Sequence, residues 1–265
     1  FARNMLPQLL SSLYFYVFDR LICYYLLKLC SSRLDIRFMN LGYINEDEGI
    51  LEMIREKGAP ESEVAHIALY EKTLSSHPRY PSFAGFRLLE VGCGQGGGMD
   101  WFNRSHPEMD RVIGLDRVAI REEIISGDAQ DLPFASSTFD IIINIESSHL
   151  YRNPQLFFHE CARVLPEGGH LCWADLRFDG EEQEVLKQAA RAGLQLVSIE
   201  DITPSVLRGM KRVASRYDEM LKTAPWYMKL FGDSFRETYC APGTKTQERY
   251  VKREKRYWTA CWVKE

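Results

Sequence analysis

The sequence predicts a doubly wound α/β fold, a mostly parallel sheet with helices on both faces. Two observations carry this. From residue 86 onward, short apolar runs rich in Val, Ile and Leu alternate with segments of helical period. The first of those runs also ends in "LLEVGCGQGGG", Leu88 to Gly98, with glycine at five of its last seven positions. Strand-helix alternation builds a parallel sheet whose ligand sites lie at the carboxyl ends of the strands, and a glycine turn at such an end lets a ligand approach the backbone.

Taken in order, residues 1 to 45 read as helical and end at "FMNLGYIN", where Asn40, Gly42 and Asn45 supply turn chemistry. Within them "MLPQLLSSLYFYVF" runs 14 residues without a charge before Asp19 and Arg20 interrupt it. A spanning helix needs roughly 20 apolar residues. The segment therefore reads as a lid or core helix, with contact to a membrane surface as the sharper alternative. "EDEGILEMIREKG" and "SEVAHIALYEKTLSS" read as further helices, and "SHPRYPSFAG" leads into the first strand.

Strands are expected at Arg87–Val91, Val112–Asp116, Glu123–Ser126, Phe139–Ile145, His170–Leu176 and Leu194–Glu200, with "RYWTACWVK" closing the sheet. Helices fall at "NPQLFFHECARVL" and "EEQEVLKQAARAG". The organisation expected is an N-terminal helical lid (1–82), a cofactor-binding core (83–203), a helical cap insert (204–249) and a closing strand (250–265). One connection is too short. Asp116 and Asp128 are 12 positions apart, whereas a parallel crossover takes about a dozen residues by itself. Either a helix has been lost or the printed chain skips residues, and the spacing favours the second.

A net charge of -4 argues against a nucleic-acid partner, and the basic run Lys252–Arg256 is diluted by Glu254. Seven cysteines, an odd number with no C-x-x-C pair, read as reduced thiols of a cytoplasmic protein and give no zinc spacing. No carboxylate set for magnesium can be placed either, so no metal is expected.

The glycine turn alone is weak evidence. Gly92, Gly94 and Gly97 also satisfy G-x-G-x-x-G, and Asp116, 24 residues beyond Gly92, is placed to meet ribose hydroxyls. An NAD enzyme and a nucleoside-sulfonium enzyme both fit these features.

The ordered set that follows is more specific: Glu90 before the glycines, "GDAQDLPF" after the third strand, "STFDIIIN" as the fourth and "HECARVLPEGGHLCWADL" delivering the fifth. This set resembles the class I S-adenosylmethionine-dependent methyltransferases over about residues 86 to 176. "ALYEKT", "EVGCGQGGG", "NIESSH" and "WADLR" narrow the likeness to the phthiotriol dimycocerosate O-methyltransferase group. The flanking sequence has, more loosely, the look of the insect small-phenol enzymes that methylate 4-vinylphenol. The resemblance implies a Rossmann-like seven-stranded sheet and S-adenosyl-L-methionine as cofactor, with S-adenosyl-L-homocysteine as product. It implies that Gly92, Gly94 and Gly96 lie against the methionine part, with Glu90 beside them and Tyr70 near its amino-acid end. Asp116 would bind the ribose, Asp128 with Ala129 the adenine, and the segment from Asn144 to His149 would face the methyl group.

A sulfonium methyl is already activated, so the protein must align a nucleophile, exclude water and manage one proton. His149, at the carboxyl end of the fourth strand, is the candidate base, with His66 as a weaker one. Glu146 is expected on the acceptor side in a structural or cofactor-directed role. Tyr43 and the insert carrying Trp226, Tyr227, Met228 and Phe231 are expected to close an apolar pocket. The function expected is methyl transfer to a hydroxyl of a small apolar acceptor, phenolic first and a lipid or polyketide alcohol second. An N-methyltransferase and a non-catalytic cofactor-binding docking protein are the rivals. Gly97 and Gly98 are read as close packing of the next helix against the sheet.

Overall fold

In the computed structural model, which describes residues 37–45, 49–223, 226–229 and 232–265, the apolar run Arg87–Val91 forms β1 at the centre of the sheet. It pairs in parallel with β2 (Arg111–Asp116) on one side and β4 (Ile141–Ile145) on the other. β3 (Ile124–Ser126) extends the sheet beyond β2, and β5 (His170–Phe178) lies beyond β4, both parallel. The last strand, β7 (Lys255–Lys264), inserts antiparallel between β5 and β6 (Leu194–Asp201). The resulting order is β3-β2-β1-β4-β5-β7-β6.

Alternation along each strand divides the core into two layers. Leu88, Ile141, Ile143, Cys172 and Cys261 point to one face and pack with Ile54 of α1 (Gly49–Glu56) and with Ile67 and Leu74 of α2 (Val64–Leu74). Leu89, Val91, Ile142, Leu171 and Trp173 point to the other. There they meet Phe157 and Phe158 of α4 (Pro154–Val164) and Val185 of α5 (Glu182–Arg191), while α3 (Gly97–Ser105) follows the glycine turn. All five residues of β4 are buried, as a strand covered on both faces requires.

The short connection closes without a helix. Residues 117–123 alone carry the chain from β2 to β3, with Asp116 paired to Ser126. The two strands therefore pair in parallel across a connection that holds no crossover helix. Between β6 and β7 the insert forms α6 (Thr203–Thr223), α7 (Trp226–Lys229), α8 (Gly232–Thr238) and α9 (Lys245–Val251). Val213 and Tyr217 of α6 pack on Ala65 of α2. The apolar helix expected over residues 1–36, with its lid or membrane-surface role, lies outside the described residues. Among the described residues no helix is long and apolar enough to cross a membrane.

Candidate active site

The glycine turn leaves β1 beside β4, where chain order reverses direction across the sheet, which is where open α/β sheets hold ligands. Gly92, Gly94 and Gly96 have φ of 75°, 55° and 79°. Side chains rarely adopt this left-handed region. Gly92 is also fixed by space, since a Cβ there would stand 2.4 Å from Ser147 Oγ.

The two glycines that follow answer in part to the expected packing against the sheet and in part to other neighbours. A Cβ on Gly98 would lie 2.1 Å from Tyr70 Cε1 and 2.7 Å from Glu90 Oε1, and one on Gly97 would lie 2.5 Å from the carbonyl oxygen of Arg37. The bareness of α3's first turn makes room for Tyr70, for Glu90 of β1 and for the segment 37–45.

That segment is extended, where the sequence reads as the tail of a helix. It is held as a strap. Leu41 N–H donates to Glu146 Oε1 (2.8 Å), Tyr43 N–H to the Ala65 carbonyl (2.8 Å) and Ile44 N–H to the Ser205 carbonyl (3.1 Å). Tyr217 donates its hydroxyl to the Phe38 carbonyl at 2.8 Å. Phe38, Met39 and Asn40 of the strap face Gly92, Gly94, Tyr70 and Glu146 across a narrow cleft.

Of two buried carboxyls nearby, Glu146 lines this cleft and Glu90 lies against Tyr70, which lines it. Glu90 Oε1 accepts from Tyr70 Oη at 2.8 Å, while its buried Oε2 has no partner. Burial pushes Glu90 up to about 8 from 4.5, with the charges of Asp116 and Asp100 adding to the effect. Glu146 has φ of 47° and shares Oε1 between Leu41 N–H and Tyr257 Oη (2.8 Å); burial pushes it up to about 8 as well. Both carboxyls bind a proton more tightly in the fold than in the unfolded chain. Their stabilisation is therefore full below pH 4.5 and is lost as pH rises through about 8. The buried His66 and His77, pushed down by burial to about 3 and about 4 from 6.5, cost stability only below pH 6.5. The expected result is a melting temperature that falls between pH 6.5 and 8, and less steeply in Glu90→Gln; thermal melts across that window check it.

Further along the sheet edge, Asp116 ends β2 and accepts from Gly94 N–H (Oδ2, 2.9 Å) and Val118 N–H (Oδ1, 3.0 Å). It thereby ties the glycine turn to the second strand. A carboxylate offers about four acceptor sites, so these bonds are compatible with hydroxyl donors at the same oxygens. Asp128 is exposed, with Oδ1 holding Gln130 through its N–H (2.9 Å) and side-chain amide (3.0 Å), and Ala129 is buried in the core. The residues present thus fit a nucleoside sulfonium. The unpartnered Oε2 of Glu90 is an acceptor suited to an ammonium group, the bare turn suits close backbone approach, and Asp116 stands where hydroxyls would lie.

On the other side of the turn, Asn144 of β4 is buried. Its amide nitrogen lies 2.8 Å from the Val91 carbonyl and 2.6 Å from Ser147 Oγ, which braces the loop beneath Gly92. A single turn at Ser148–Leu150 then presents His149. Its Nδ1 is 2.6 Å from Asp175 Oδ1, and its backbone N–H donates to Oδ2 (2.9 Å). Asp175 is completely buried on β5. Burial would raise its carboxyl, but the neighbouring His149 and Arg177 charges, with hydrogen bonds from His149 and Ser148, hold it well below the usual range. A carboxylate can only accept, so it fixes the proton on Nδ1 and leaves Nε2 as a base, with the ring a quarter exposed.

The other expected residues divide. His66 is fully buried, hydrogen-bonded through Nδ1 to Asn40 Oδ1 (3.0 Å) and stacked on Phe38, so it supports the strap from within and is not open to the cleft. Tyr43 is 3% exposed, with a hydrogen bond to Ser205, and packs in the core and not at the cleft. Trp226 is 74% exposed on α7, while Phe231 and the side chains of Tyr227 and Met228 lie outside the described residues. Asp175, Arg177, Asn40 and Tyr257 were not expected at the site. A signal for the first two exists: in "HLCWADLRF" two charges stand two apart in an otherwise apolar strand, hence on one buried face. Among the described residues no cluster of His, Cys, Asp and Glu could hold a metal ion.

Comparison with known proteins agrees with this geometry. A methyltransferase domain family matches residues 89–173, the stretch from β1 to β5. A phthiotriol/phenolphthiotriol dimycocerosates methyltransferase of Mycobacterium leprae is 32% identical over 213 residues, covering 76% of this chain and 76% of its own. A fatty-acid O-methyltransferase of Mycolicibacterium smegmatis is 31% identical over 243 residues, covering 87% and 84%. Among solved structures, a geranyl diphosphate C-methyltransferase from Streptomyces coelicolor superposes with a TM-score of 0.57 at 19% identity, covering 88% of this chain and 93% of its own. The cyclase SpnF superposes with a TM-score of 0.66 at 18% identity, covering 91% and 94%. These last two likenesses are of fold. Relatedness over most of both chains, on a sheet carrying the glycine turn and its acidic neighbours, places the protein in the class I S-adenosylmethionine-dependent methyltransferases.

Proposed function

We propose that the protein transfers a methyl group to a hydroxyl oxygen of a small apolar acceptor, a phenol before an aliphatic lipid alcohol. The observation that carries this is the 2.6 Å contact between His149, in the turn beyond the carboxyl end of β4, and the buried Asp175. A carboxylate acceptor is already ionised near neutral pH and needs no built base. A phenol, with a pKa of about 10, does. The relatives are named for phthiotriol and phenolphthiotriol dimycocerosates and for fatty acids. The dyad favours the hydroxyl-bearing kind.

When bound, S-adenosylmethionine supplies an electrophilic methyl on sulfur. Glu90, Tyr70 and the turn Gly92–Gly96 would hold its methionine part, Asp116 its ribose, and the exposed Asp128, next to the buried Ala129, its adenine side. Asn144 and Ser147 fix the loop that carries the acceptor. His149 Nε2 would take the proton of the acceptor hydroxyl during transfer, and Asp175 would stabilise the resulting imidazolium. The strap and Glu146 exclude water from one side.

A panel of acceptors on one skeleton, bearing a phenol, an aliphatic alcohol, an amine or a carboxylic acid, tests the reading. The expected product is the methyl ether, formed fastest from the phenol. Methylation of the amine or the acid alone would defeat it.

A further inference from the structure

Asp175 is buried beside a second cation that the proton transfer described above does not use. Arg177, two residues further along β5, is itself buried, with its side chain 8% exposed. One guanidinium nitrogen lies 3.0 Å from Asp175 Oδ2 and 2.6 Å from the Leu176 carbonyl; the other donates to Ser148 Oγ at 2.7 Å. The carbon of the guanidinium stands 5.2 Å over the Trp173 ring, and Trp173 Nε1–H donates to the same Ser148 Oγ at 2.9 Å. Ser148 in turn gives its hydroxyl proton to Asp175 Oδ2 at 2.6 Å. The two carboxylate oxygens therefore face different partners. Oδ1 holds the imidazole, and Oδ2 is occupied by Ser148, the His149 backbone and Arg177.

We infer that Arg177 is a positioning residue: it anchors and neutralises Asp175, so that His149 is oriented by a carboxylate without being locked into a permanent ion pair with it. This rests on the assignment of His149 as the base. A dry carboxylate whose sole cationic neighbour was the imidazole would hold the protonated ring too well, since a lone charge in the interior is costly and an opposite charge within 4 to 6 Å favours the charged form. With Arg177 present, Asp175 and the guanidinium cancel, and neutral His149 leaves no net charge in the network.

The other titratable groups near Asp175 are Glu146 at the end of β4, Tyr151 beyond the turn, Tyr250 on α9, and Lys255 and Tyr257 on β7. Among the described residues only His149 and Arg177 form ion-pair contacts with Asp175. Lys255 is directed instead at the Phe178 ring, 4.9 Å from its centroid.

The test is the pH profile of kcat/KM for a phenol with the whole chain, in wild type, Arg177→Lys, Arg177→Met and Arg177→Gln. Losing the charge makes His149 release its proton only at higher pH, or lets Asp175 take one up itself. The acidic limb is therefore expected to move up by about one pH unit in the Met and Gln variants, within the range of one to three units that a close opposite charge exerts. It is expected to return toward wild type in the Lys variant, although kcat stays low because lysine lacks the fork that reaches both Ser148 and Asp175. If the Met variant does not fold, as a thermal melt would show, the uncharged but hydrogen-bonding Gln variant gives the same reading. A fall in kcat with an unmoved limb in the folded uncharged variants overturns the inference and leaves Arg177 a packing residue. A profile in which His149→Gln retains the wild-type acidic limb defeats the assignment of the base, and this inference with it.

Discussion

Replacing His149 with alanine lowers kcat for methylation of an ordinary phenol by a factor on the order of 100 to 10,000, the range removed with a positioned base. Binding of the methyl donor is expected to stay within about twofold, because the base contributes to the transition state alone. The physical reason is the fixed tautomer. Asp175 accepts the Nδ1 proton at 2.6 Å, so Nε2 carries its lone pair before any acceptor arrives. Asp175→Asn is expected to show a similar loss, because the amide can donate to Nδ1 and turn Nε2 into a donor. Initial rates by product chromatography, with donor affinity from calorimetry, separate the two quantities. A full rate in His149→Ala would remove the base from the account.

Gly98→Val is expected to weaken binding of S-adenosylhomocysteine by on the order of tenfold or more and to cost about 1 to 3 kcal/mol of stability, the usual penalty of overpacking. A Cβ at this position would overlap the Tyr70 ring at 2.1 Å and crowd Glu90 Oε1 at 2.7 Å. Both backbone and carboxylate belong to buried structure, so the Tyr70 ring has to leave, and its 2.8 Å hydrogen bond to Glu90 breaks with it. Gly232→Ala is the comparison, since nothing lies within 4 Å of a Cβ there. It is expected to leave affinity unchanged. Calorimetric titration of both variants with S-adenosylhomocysteine checks the contrast, and equal affinities would place the tight packing around Gly98 outside the cofactor site.

The sheet was legible because its strands are apolar runs bounded by turn residues, and "LLEV" and "IIINI" are buried on both faces in the structure as their composition requires. The position of β7 between β5 and β6 was not legible, because strand order depends on which edges meet in space and no local pattern in "RYWTACWVK" records it. For the proposed nucleoside half of the site, spacing singled out the glycine turn and Asp116, and the family resemblance added Glu90 and Asp128. The acceptor half was less legible. His149 stood out as an imidazole at a strand end, but its partner Asp175 is 26 residues on in another strand, and no local pattern links the two. The strap was missed for another reason. Residues 37–45 follow an apolar helical pattern, and their extended course is set by distant partners, Glu146, Ala65, Ser205 and Tyr217, that no window along the chain contains. His66 illustrates the converse, a histidine with suitable position in the sequence that the fold places under the strap to hold Asn40.

The claim that His149 removes the acceptor proton is tested most directly by a series of phenols of falling pKa, assayed with wild type and His149→Ala at one pH near neutrality. A phenol that is already ionised in solution needs no base, whereas one with a pKa of about 10 needs its proton removed during transfer. The account predicts a defect in His149→Ala that is largest for the least acidic phenol and shrinks toward none for those ionised at the assay pH. A defect of the same size across the whole series would contradict it.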